Sequence, residues 1–101
     1  MLVVVGIYEI HIPHAQSLKD KRTVVRSLKE KLRNRFEMSV AEVALQDVHQ
    51  RARLGFSFLA LDHGTADATL DRIHDFIESN TDGIVAGSAV EKLEFDETVN
   101  L

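Results

Sequence analysis

The chain has 101 residues, 45% of them hydrophobic and 28% charged, and a formal charge of −4. That length suits one domain, residues 1–101, and leaves no room for two. The lack of cysteine excludes a disulfide framework, a thiolate metal site and a cysteine nucleophile, and agrees with a cytoplasmic location. The acidic balance also argues against a general nucleic-acid binder, which is basic overall.

The elements follow in chain order. The stretch "LVVVGIYEI" has no basic region before it and no small-residue cleavage pattern after it. It is far shorter than the roughly 20 residues a membrane helix needs, so no membrane association is expected. It reads as a first strand over Leu2–Ile12, closed by Pro13, which cannot extend a hydrogen-bond ladder. Residues 13–16 form a loop. Ser17 followed by Asp20 fits a capping box, so a helix starts at Leu18 and runs to about Arg35. Met38–Gln46 alternates as a second strand, and "DVHQ" links it to a third, "RARLGFSFLAL". "DHGT" punctuates the chain before a second helix from about Ala66 to Ser79. "SNTDG" turns it into a fourth strand, Ile84–Phe95. The order βαββαβ predicts an α+β, ferredoxin-like sandwich: a four-stranded antiparallel sheet with two helices on one face.

The charges are sorted by element. Eight of the twelve Lys and Arg lie in "SLKDKRTVVRSLKEKLRNRF", residues 17–36. At helical periodicity Leu18, Val25, Leu28, Leu32 and Phe36 form the core stripe, while Lys19, Arg22, Arg26, Lys29 and Arg33 form a neighbouring basic stripe. Lys21 points near the apolar side and is expected to snorkel. Lys31, Arg33 and Arg35 suit the helix C-terminus. Lys19, Lys21 and Arg22 oppose the dipole of the first turn, where an anion is favoured. From Asp62 onward there are ten acidic residues and two basic ones, with Asp67, Asp71, Asp75 and Glu78 on one face of the second helix. Two readings follow. The stripes face solvent or each other, or Lys19, Lys21, Arg22, Arg26, Lys29 and Arg33 form an anion- or nucleic-acid-binding surface.

"LGFSFLAL" is similar to the first aromatic motif of RNA-recognition domains, which share the βαββαβ order: Gly55, Phe56 and Phe58 match, and Leu54 replaces the basic residue. Strand parity separates Leu54, Phe56 and Phe58 from Leu59 and Leu61. If the latter face the helices, Leu54, Phe56 and Phe58 form a sheet-face interface for bases or for a second copy of the chain; otherwise they are core. The companion motif is missing from "GIYEIHI". The five histidines, His11, His14, His49, His63 and His74, lack the spacing of a metal site. No nucleophile–base–orienter set, Walker loop or dinucleotide-binding loop occurs, which points away from catalysis and from a bound cofactor.

The pieces Ile12, Pro13, Ala15, Ser17, Leu18, Lys19, Asp20, Lys21 and Arg22, then Ser39–Val43 and Gln46-Asp47, resemble the YlxP-like family of small bacterial proteins, with His14 where the family pattern has Gly. The resemblance covers nearly the whole chain. It implies a ferredoxin-like fold and brings no established catalytic residues to carry over. It also implies gene neighbours for translation initiation and ribosome-binding factors, and hence a role near RNA or the ribosome. The expected function is a non-catalytic, RNA- or ribosome-associated protein. The alternatives are a homodimeric interaction module joined through its open sheet, and an anion or metabolite sensor at the Ser17–Arg22 turn.

Overall fold

The computed structural model describes residues 1–101. Its elements are β1 (Leu2–His11), α1 (Leu18–Arg35), β2 (Ser39–Ala44), β3 (Arg51–Ala60), α2 (His63–Ser79) and β4 (Ile84–Glu94). The strands form one sheet in the order β2-β3-β1-β4, and every neighbouring pair is antiparallel. This is the ferredoxin-like fold that the element order predicts. No helix is long and apolar enough to cross a membrane.

Parity decides which face of the sheet is covered. Leu2, Val4, Tyr8 and Ile10 of β1, and Ala52, Leu54, Phe56, Phe58 and Ala60 of β3, are buried. They pack in one cluster with Val25, Leu28 and Leu32 of α1 and with Ala66, Ile73 and Ile77 of α2. Leu54, Phe56 and Phe58 are therefore core residues, and the expected sheet-face interface at these positions is corrected. Leu59 and Leu61 are the ones left outside, 67% and 84% exposed.

The RNA-motif-like string has a packing explanation instead. Phe56 lies opposite Gly6 in the β1–β3 register. A Cβ at Gly6 would sit 2.6 Å from the Phe56 ring and 2.7 Å from the Ala89 carbonyl oxygen, so only glycine admits the ring there. Phe56 stacks on Tyr8 at 5.0 Å and on Phe58 at 6.3 Å between ring centroids. On the other face Val43 folds over Gly55, where a Cβ would meet its methyl carbon at 2.7 Å.

Two boundaries differ from expectation by more than one residue. β2 stops at Ala44 rather than Gln46, because its register with β3 slips between Glu42 and Ala44 and Leu45 turns to φ 61°. α2 begins at His63 rather than Ala66, because the Asp62 carboxylate caps it by accepting from the Thr65 amide at 2.7 Å. Half of the predicted capping box of α1 is present: Ser17 Oγ accepts from the Asp20 amide at 3.1 Å, whereas the Asp20 carboxylate reaches past Ser17 to accept from the Gln16 amide at 3.0 Å.

Phe56→Ala removes the centre of the aromatic stack and should lower stability by about 3–5 kcal/mol, measured by urea unfolding. The Asp62 cap carries a pH dependence. Hydrogen bonds from the Thr65 amide, then from its side chain, hold the Asp62 carboxyl below its ordinary range. A depressed carboxyl stabilises the fold above its unfolded pKa, and the contribution fades as pH falls through the depressed folded value. Asp62→Asn keeps a capping oxygen without a titrating group. Urea midpoints measured from pH 6 to pH 2 should therefore fall less steeply in this variant than in the native chain.

Candidate nucleic-acid interface

Helix α1 buries Lys21, Val25, Leu28 and Leu32 along one stripe. Lys21 therefore occupies a core position of the repeat, and its side chain is fully buried, with no exposure. The ammonium does not snorkel to solvent. It donates to the carbonyl of Leu45 at 2.7 Å and more loosely to those of Arg51 at 3.3 Å and Gln46 at 3.4 Å. Glu42 Oε2 lies 2.9 Å away. That oxygen is buried and makes no aligned hydrogen bond, so the two groups form a contact ion pair. Leu45 also receives the Val48 amide on the same carbonyl, at 3.0 Å. A leucine at positive φ is strained, and these donors hold it there. Lys21 thus ties α1 to the β2–β3 connection. It is withdrawn from any phosphate, and its place among the expected anion-binding residues is corrected.

Arg33 is also partly committed. Its Nη2 donates to the Val40 carbonyl at 2.8 Å, reaching from α1 to β2. Since Arg33 shares a helical face with Lys19, Arg22, Arg26 and Lys29, that basic face borders the β2 edge of the sheet. Lys19, Arg22 and Arg26 are exposed and Lys29 half-buried. None of the four makes an ion pair, although the chain holds sixteen carboxylate side chains.

The opposite flank of α1 meets α2. Phe36 packs edge-on to Phe76 at 5.5 Å, Arg72 lies over the Phe36 ring at 5.6 Å, and Lys31 donates to the Asn80 carbonyl at 3.4 Å. No ion pair joins the two helices. The acidic flank of α2 borders β4: Asp67 pairs with Lys92, and His63 meets Glu94 at 2.8 Å. The basic and acidic stripes do not neutralise each other; they lie at opposite edges of the sheet.

A second cationic group, which sequence reasoning missed, sits on the open face. Arg51 and Arg53 both clasp Glu9, at 3.0 and 2.8 Å. Hydrogen bonds from Arg51, then Arg53, hold the Glu9 carboxyl below its ordinary range. Glu9 and Arg53 are register partners, and β alternation on adjacent strands was the signal that could have paired them. A hollow of about 290 Å³ lies beside this cluster, lined by Ile7, Glu9, Arg53, Gly87, Ser88 and Ala89. The rest of the open face carries exposed apolar residues, Val5, Val43, Leu59 and Leu93, between 43% and 67% exposed, with Glu91 beside Val5.

Lys21→Met keeps most of the buried stem but strands Glu42 and takes a donor from three carbonyls. It should cost about 3–5 kcal/mol, the usual penalty for halving a buried ion pair. It should also speed amide exchange at Val48, measured by NMR, whereas Lys19→Met should change neither quantity by more than about 0.5 kcal/mol.

Two comparisons place the chain among known sequences. The model of a family described as "Protein of unknown function (DUF503)" matches residues 3–89. The uncharacterized protein YlxP of Bacillus subtilis (strain 168) is 32% identical over 71 residues, spanning 70% of this chain and 77% of that protein. The chain belongs to this YlxP-like, DUF503 family.

Proposed function

We propose that the chain is a non-catalytic, RNA- or ribosome-associated protein of the cytoplasm, which grips phosphates with Lys19, Arg22, Arg26 and Lys29. One observation carries the reading: four cations on one helix flank have no carboxylate partner in a chain that is acidic overall. Like charges at Arg22 and Arg26, four residues apart, disfavour the isolated helix by roughly 0.2–0.5 kcal/mol. A bound polyanion would remove that repulsion. The first turn adds free backbone amides, which also favour an anion. The acidic α2 flank at the far edge would repel RNA there and so orient it toward α1. Lys21 takes no part in binding, and Arg33 contributes only what its bond to Val40 leaves free.

The apolar open face favours a second reading, a dimer that covers Val5, Val43, Leu59 and Leu93 rather than the aromatics. The two readings use different surfaces and are separable.

Binding of a single-stranded RNA 30-mer, followed by fluorescence anisotropy across a salt series, tests the first. Four phosphate contacts predict a slope of log K against log salt near −3. Arg22→Gln/Arg26→Gln/Lys29→Gln together should make that slope about 2 units shallower and leave the unfolding midpoint within experimental scatter. An unchanged slope in the triple variant sinks the RNA reading. For the dimer, Leu59→Glu should convert a dimeric mass in light scattering to a monomeric one. A native chain that is already monomeric removes it.

A further inference from the structure

The two edges of the sheet are built differently. β2 is six residues long, its register slips between Glu42 and Ala44, and Arg33 occupies the Val40 carbonyl. Short length, a bulge and a capping cation are the usual means of closing an edge to further pairing. β4 has none of them over most of its length. It is eleven residues long and contains no proline, and beyond one slip at Ala86 it keeps an unbroken register with β1 from Gly87 to Glu94. Its single lysine, Lys92, is turned to Asp67. The stretch "GSAV" at Gly87–Val90 is exposed and small, so a neighbouring backbone can approach closely. An added Cβ at Gly87 would meet nothing within 4 Å.

Charge then selects the occupant. Asp71 and Glu78 share a helical flank with Asp67, which reaches Lys92 of β4, and Glu78 also meets His74 at 3.3 Å; Glu94 lies on the helix side of the strand and Glu91 on its open side. Of the residues from Asp62 onward, ten are acidic and two, Arg72 and Lys92, are basic. Arg72 lies over Phe36 on the far side of α2, and Lys92 is already paired. A nucleic acid is repelled here. A second copy pairing β4 to β4 would bring two acidic α2 flanks together, and pairing β4 to β2 of another copy meets the closed edge. We propose that the β4 edge binds a basic, extended peptide segment of a partner protein. The segment adds a fifth strand by main-chain hydrogen bonding, with its lysines or arginines on the helix side, against Asp71 and Glu78. This surface is distinct from the α1 ridge, so either assignment can fail without the other.

The probes are a nine-residue peptide of alternating Lys and Val, its Glu–Val counterpart, and the Lys–Val peptide with alternate amides methylated so that one hydrogen-bonding edge is lost. Amide hydrogen exchange by NMR on the full chain reports the site. The Lys–Val peptide should slow exchange of the outward-pointing amides within Gly87–Glu94, while the other two leave them unchanged. Its affinity should fall at least about fivefold from 50 to 500 mM salt, and by a similar factor in Asp71→Asn/Glu78→Gln at low salt. Absence of protection by the Lys–Val peptide overturns the proposal, as does equal protection by the Glu–Val or methylated peptide. Protection that rises with protein concentration alone, alongside dimer in light scattering, assigns the edge to a second copy and overturns it too.

Discussion

The Lys21 ammonium is the point on which the rest of the arrangement depends. It enters the protein from the first turn of α1, where positive charge opposes the helix dipole. The unfavourable placement is offset by what surrounds it: Glu42 from β2 and the carbonyls of Leu45, Gln46 and Arg51. Those acceptors come from both ends of the β2–β3 connection. One side chain thus fixes how α1 sits on the β2 side of the sheet and how the chain turns into β3. The left-handed Leu45 and the slip in β2 register belong to the same device, since the connection must present its carbonyls inward to meet the ammonium. A buried ion pair is seldom a net source of stability compared with apolar packing. Its value here is geometric: it specifies one conformation of a connection that lacks glycine and proline.

With α1 so placed, the charge pattern of the surface follows. The flank of α1 beyond Lys21 runs beside β2, and Arg33 reaches down from it to Val40. The other flank is consumed by α2, through Phe36, Phe76, Arg72 and Lys31. The remaining cations, Lys19, Arg22, Arg26 and Lys29, are left at one edge of the sheet. The carboxylates of α2 are left at the other, because Tyr8, Leu70 and Ile73 turn its apolar stripe inward. The net charge of −4 hides this separation, which is why composition alone understates the case for an anionic partner.

Much of the fold was legible in the sequence because it rests on local signals. The period of α1, the Ser17–Asp20 cap, the strand-ending Pro13 and the βαββαβ order need no tertiary information. The errors arose where parity or packing decides. "LGFSFLAL" is apolar on both faces of the strand, so alternation could not say which face the helices cover; Gly6, on another strand, settles it by making room for Phe56. Lys21 occupied a core position at the spacing of Val25, Leu28 and Leu32. Yet burial of a lysine requires acceptors that lie 24 to 30 residues away in the chain. Asp62 was an N-cap hidden inside a loop signal, since His63 and Gly64 weaken the helical pattern that follows it.

The same reasoning explains why the two edges of the sheet differ. β2 carries the connection that Lys21 organises, and a strand distorted to present carbonyls inward is a poor template for pairing outward. Its closure therefore comes with the lock and needs no separate device. β4 carries no such connection and is regular from Gly87 to Glu94. A regular edge under an acidic helix and a closed edge under a basic one make the molecule directional. An anion and a basic strand would engage it at opposite edges of the four-stranded sheet, without competing for any residue. A lysine buried at the start of α1 therefore has a consequence at the far edge: by closing β2, it leaves β4 as the one edge where the sheet can grow.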